Sequence, residues 1–144
     1  MKNLERISGA EQLIARFGRW PSFHDSEVTR MVFDRRGPDL EFTVHVWTTT
    51  EALDDQGIYV RTNHTLVTIR LERLAAIDLS DFNRQNVLFG LGFEAENIGT
   101  SAGFRVTFDS SYGVSGTAIC ARVVIVDATA CDQSGEMMTD LEQS

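Results

Sequence analysis

His24, Asp25 and Glu27 are the residues of this chain best suited to chemistry, gathered in the stretch Trp20-Pro21-Ser22-Phe23-His24-Asp25-Ser26-Glu27-Val28. An imidazole beside carboxylates can act as a general base steadied by its partner, or contribute to a metal site. On an extended backbone successive side chains point to opposite faces, so Asp25 and Glu27 would share a side while His24 faces away with Ser26. That arrangement suits a carboxylate pair better than a three-residue cluster. A metal would need His45 or His64 brought in by the fold, which their spacing does not require, so neither a metal nor a cofactor is expected. No Ser or Cys lies in a nucleophile elbow, and no glycine pattern marks a phosphate loop. The same stretch also has a purely structural use. Trp20 and Phe23 would pin a helix end to a sheet through their apolar area, with His24, Asp25 and Glu27 closing the corner. On the residues alone, structural, binding and catalytic uses all stand open.

The elements that must position this stretch are legible on both sides of it. Ser8-Gly9-Ala10-Glu11 has the form of a capping box, and Leu13, Ile14 and Phe17 follow on one helical face, which predicts a short helix over residues 9–18. Gly18 and Pro21 end it. Strands follow. Glu27 to Asp34 is the first, and Gly37-Pro38-Asp39 turns into a second in which Leu40, Phe42, Val44 and Val46 alternate with Glu41, Thr43, His45 and Trp47. Thr48 to Gly57 has no apolar periodicity and reads as an exposed loop. Val67, Ile69 and Leu71 mark a third strand. Val87 to Phe93, with two glycines, reads as a strand with a bulge. Phe104, Val106 and Phe108 mark a fifth, and a turn over Asp109 to Gly116 leads to a last strand, Thr117 to Asp127, with Ile119, Ala121, Val123 and Ile125 on one face. The fold class is α+β: a mainly antiparallel, twisted sheet of about six strands with one short N-terminal helix packed on it. Residues 1–128 form a single domain, and 129–144 an acidic C-terminal tail with no pattern that would order it.

Charge and composition narrow the function. A net charge of −8, five units of it within residues 127–144, opposes nucleic-acid binding and fits either plain solubility with a frayed tail or steering towards a basic protein partner. No apolar run reaches the ~18 residues of a membrane span, and the opening Met1-Lys2-Asn3-Leu4-Glu5-Arg6 lacks a secretory pattern, so the expected compartment is the cytoplasm. Cys120 falls in a strand and Cys131 in the polar tail, with no metal or redox spacing. Two aromatics are candidate partner-binding residues: Trp47, opposite the apolar face of its strand, and Tyr112, in the Ser110-Ser111-Tyr112-Gly113 turn where Gly113 suits a positive φ. His64 receives no role.

The Trp20–Val28 stretch, then Asp81-Phe82-Asn83-Arg84-Gln85-Asn86-Val87-Leu88, then Phe108-Asp109-Ser110-Ser111-Tyr112-Gly113 and an apolar final strand, taken in that order, resembles the immunity protein 50 family of bacterial polymorphic-toxin systems. The resemblance runs from about residue 10 to about residue 127. It implies a small cytosolic protein, not an enzyme, that neutralises a cognate toxin by stoichiometric binding. Many such toxins are nucleases with basic clefts, and an acidic inhibitor is steered towards such a cleft. On this reading Trp20, Phe23, His24, Asp25 and Glu27 mainly hold the scaffold. Two alternatives belong to other classes: a small hydrolase or metal-binding domain built on His24, Asp25 and Glu27, and a structural domain that oligomerises through an exposed sheet edge. Monomer and homodimer are both open.

Overall fold

The computed structural model describes residues 4–136. A 3-10 turn at Leu4–Arg6 leads into helix α1 (Ala10–Phe17). Six strands follow: β1 (Glu27–Asp34), β2 (Asp39–Leu53), β3 (Tyr59–Ser80), β4 (Val87–Ile98), β5 (Ser101–Tyr112) and β6 (Ser115–Ala130). Neighbouring strands are antiparallel, and the order β1-β2-β3-β6-β5-β4 closes on itself as a barrel. The expected antiparallel strands and short helix are present, but α+β is a loose description of them. The sheet has wrapped round its own apolar face, which leaves the helix a minor part of the wall.

Inward positions follow the period-2 pattern in β2, where Leu40, Phe42, Val44 and Val46 are buried, and in β5, where Phe104, Val106 and Phe108 are buried. In β6 the expected face is only half right. Val123 and Ile125 are buried, but Ala118 and Cys120 take the core positions nearer the strand start, while Ile119 and Ala121 are half-buried. The neighbouring strand changes phase at the same level. Arg73 of β3 has φ 56° and sits between the register pairs Leu71↔Val123 and Leu74↔Cys120. One left-handed residue there breaks the alternation, so the inward phase changes on passing it.

Helix α1 does not begin with a capping box. Its N-cap is Gly9, at φ 81° and with no side-chain cap. Pairing of β5 with β6 ends at Phe104↔Cys120, which leaves the far part of β6 with a vacant edge. The backbone of Ser8 takes that edge: its N–H donates to the Val123 carbonyl at 3.1 Å, and its carbonyl accepts from Ile125 N–H at 2.7 Å. The chain passes so close that a Cβ on Gly9 would lie 2.6 Å from the Ile125 carbonyl oxygen. Ile7, Ala10 and Leu13 are thereby buried into the same core as the strands. Gly18, at φ 79°, ends the helix as expected, donating its N–H to the Ile14 carbonyl.

The stretch Thr48 to Gly57 is not a loop. β2 runs on to Leu53 and pairs with the start of β3, and the turn is confined to Asp54–Ile58. Both faces of this ribbon are solvated, so it carries no apolar alternation to read. The turn expected over Asp109 to Gly116 shrinks to Gly113 and Val114, since β5 continues to Tyr112 and β6 starts at Ser115. The bulge in β4 is present, with register shifts on either side of Leu88. At the C-terminal end β6 continues to Ala130, and Cys131, expected in the polar tail, is buried, its N–H donating to the His64 carbonyl at 3.1 Å. The remainder of the acidic tail, residues 137–144, lies outside the described residues.

Candidate functional site

The barrel closes at a narrow seam. β1 and β4 share a single register pair, Glu27↔Val87, extended by Val28 N–H to the Asn86 carbonyl, Leu88 N–H to the Ser26 carbonyl, and Asp25 N–H to the Leu88 carbonyl. So few backbone bonds would leave polar groups stranded without a side chain to finish the join. Asn86 finishes it. Its Oδ1 accepts from Asn83 N–H and from Val114 N–H, both at 3.0 Å, while its Nδ2 donates to the Asn83 carbonyl at 2.8 Å and the Val28 carbonyl at 3.3 Å. The side chain is 2% exposed and uses its full donor and acceptor capacity. Gly113 completes the packing: a Cβ there would collide with the Gln85 carbonyl and with Asn86 Oδ1, and φ is 83°.

The Trp20–Val28 stretch feeds this seam as a corner, not as a strand. Phe23 and Asp25 both have positive φ, 62° and 64°. Two left-handed residues around His24 overturn the expectation that His24 and Ser26 share a side. Ser26 is buried, whereas His24 is exposed, with its Nε2 3.6 Å from Asp25 Oδ2 and its Nδ1 3.1 Å from the Phe89 carbonyl oxygen. Phe23 is 1% exposed, and Trp20 stands edge-on to both Phe23 and Phe93.

Asp25 and Glu27 face a cleft of about 410 Å3 shared with His45, Trp47, Arg61 and Val87. His24 lines the adjoining cleft, so the three residues singled out for chemistry do not converge on one point. The fold does bring His45 and His64 together: His45 Nε2 lies 3.0 Å from His64 Nδ1, so one ring donates and the other accepts. Among the described residues no three His, Cys, Asp or Glu side chains are grouped to hold a metal ion. Trp47 packs edge-on against His45 and carries the Arg61 guanidinium 4.5 Å above its ring centroid. His45 is 4% exposed, with Gly135 lying over its ring, and Trp47 is half-buried. Tyr112 is exposed and is the register partner of Val87, which lines the cleft.

Burial first, then the neighbouring His64, hold the His45 imidazole below its ordinary value near 6.5; Asp132 pulls it back up and Arg61 pushes it slightly down. The sign follows from linkage. Unfolded His45 takes up a proton near pH 6.5 while the folded ring stays neutral to lower pH, so the unfolded state binds more protons in between. Its contribution to stability is whole above pH 6.5 and is lost as pH falls through the folded value. The melting temperature should therefore drop between pH 7 and pH 5, and the drop should be shallower in His45→Gln; equal slopes would place the titration elsewhere.

Sequence reasoning passed over Asn86 and His64. Asn86 stands in the second of the segments that carry the resemblance but nothing in the sequence marks its role there, and the His45–His64 pairing depends on the β2–β3 register. The three segments noted for their order meet at the seam: Val28 and Ser26 from the first, Asn83, Asn86 and Leu88 from the second, Tyr112 and Gly113 from the third. No curated protein and no solved structure matches the chain. The model of the family described as immunity protein 50 matches residues 9–130, a span running from the N-cap of α1 to the last residue of β6. The match takes in every strand and all three seam segments, and the chain belongs to the immunity protein 50 family.

Proposed function

We propose that this protein neutralises a cognate toxin by stoichiometric binding in the cytoplasm, with no turnover of its own. Membership of the immunity protein 50 family carries the reading. Two further observations support it. The residues of the conspicuous motif are spent on closing the barrel, through Phe23 and Ser26, or point into separate clefts, as His24 and Glu27 do. The net charge of −8 suits a basic partner, such as a nuclease whose cleft an acidic surface can occupy. Trp47, which lines the cleft under Arg61, and Tyr112, exposed beside the seam, are the aromatics offered for contact with that partner.

The test uses the native locus. The C-terminal part of the protein encoded immediately upstream is expressed in a host cell, and survivors are counted with and without this chain. Killing reversed by this chain, with an equimolar complex in light scattering, is expected. Toxicity without rescue would end the reading.

A further inference from the structure

Beyond the barrel, β2 and β3 continue as a two-stranded arm. β1 leaves β2 at Glu27↔His45, and β6 leaves β3 at Thr65↔Ala130, whereas β2 and β3 stay paired through Thr48↔Thr62, Thr49↔Arg61 and Leu53↔Tyr59. Among the described residues, the hydrogen bonds of residues 50–60 are made within the arm itself. An isolated two-stranded ribbon is marginal in water, and its open edges invite pairing, so a barrel that only needed to close would stop short of it.

The tip is built to a fixed shape. Asp54 Oδ1 accepts from Gln56 N–H at 2.8 Å and from Ile58 N–H at 3.0 Å, and Asp54 N–H donates to the Ile58 carbonyl at 2.8 Å. Gly57, at φ 79°, takes the left-handed position the turn needs. Thr50 Oγ1 ties the two strands together through the Val60 carbonyl at 2.8 Å. On this frame stand Leu53, Ile58 and Tyr59, each 57–58% exposed. Around them are Glu51, Asp54 and Asp55, and from Thr48 to Val60 there is no Lys or Arg.

We infer that this arm is the element that enters the toxin, its apolar tip seated in a concave site with a basic rim. The inference rests on the immunity reading and names the surface that performs it. The tip has the composition of a binding hot spot: one aromatic and two aliphatic anchors on a rigid turn, ringed by charge of one sign. A rigid tip loses little freedom on binding, which favours affinity for a given contact area. The carboxylates select a basic partner and speed encounter with it, and they discourage pairing of one acidic arm with another. Phe33, exposed at the opposite end of the barrel and followed by the turn with Arg35 and Arg36, lacks the all-acidic surround and serves as the control surface.

The test measures binding of the full chain to the C-terminal domain of the toxin encoded beside it, a catalytically dead variant being used for safety. Tyr59→Ala and the double variant Leu53→Ala/Ile58→Ala are each expected to raise Kd by about thirtyfold or more. Glu51→Lys/Asp55→Lys should slow association about tenfold and flatten its salt dependence. Phe33→Ala should leave Kd within about twofold, and melting temperatures confirm that each variant is folded. Wild-type affinity in the folded arm variants would overturn the inference while leaving the immunity reading intact. Failure of the wild-type chain to bind or rescue overturns both. A homodimer that Tyr59→Ala dissociates would make a second copy the occupant and overturn the toxin assignment.

Discussion

Asn86→Ala is expected to lower the melting temperature by roughly 8–16 °C, one of the two largest effects of single substitutions in this protein. The side chain satisfies two backbone N–H groups, of Asn83 and Val114, and two carbonyls, of Asn83 and Val28. Truncation strands all four around a site that is 2% exposed. At roughly 1 kcal/mol for each group left without a partner, the loss comes to about 4 kcal/mol. The location amplifies the effect, because β1 and β4 meet at a single register pair. Asn86→Asp separates the contributions. It keeps both accepted hydrogen bonds but sets a buried carboxylate oxygen against the Asn83 and Val28 carbonyls, so near neutral pH it should melt no higher than Asn86→Ala and recover in part as the carboxyl is protonated. A melting temperature within about 2 °C of wild type in the alanine variant would show that the seam is held by its backbone bonds alone.

The same seam explains what could be read in advance and what could not. Periodicity finds strands that bury one face, and it located the barrel part of β2, the middle of β3 and the middle of β5. It failed where burial is symmetrical or interrupted. Residues 48–53 are solvated on both sides, so β2 looked as if it stopped early. The inward phase shifts at the level of the left-handed Arg73, so the buried face of β6 came out as one run when it is two. Barrel closure itself leaves no local trace. It depends on segments far apart in sequence meeting at the seam, and the sequence shows only that three unusual segments exist and come in a certain order. The capping-box pattern at Ser8 failed for a related reason: a backbone group needed to complete β6 outcompetes a side-chain cap.

The second large effect tests how the conspicuous motif is divided between structure and surface. Phe23→Ala is expected to cost about 3–5 kcal/mol, lowering the melting temperature by roughly 6–20 °C, whereas His24→Ala should cost no more than about 1 kcal/mol. The neighbours differ in burial: the Phe23 residue is 1% exposed against Trp20, while the His24 side chain is 53% exposed and makes one hydrogen bond, to the Phe89 carbonyl. The backbone supplies an internal control. Phe23 has φ 62°, a conformation that costs roughly 1–2 kcal/mol in any residue with a Cβ and almost nothing in glycine. Phe23→Gly should therefore melt higher than Phe23→Ala, although glycine removes more side chain. That inversion occurs only if the corner is strained and the ring offsets the strain by burial. If glycine melts below alanine, the corner carries no such strain. If His24→Ala falls as far as Phe23→Ala, the imidazole holds the corner and its exposed position is not available for contact with a partner.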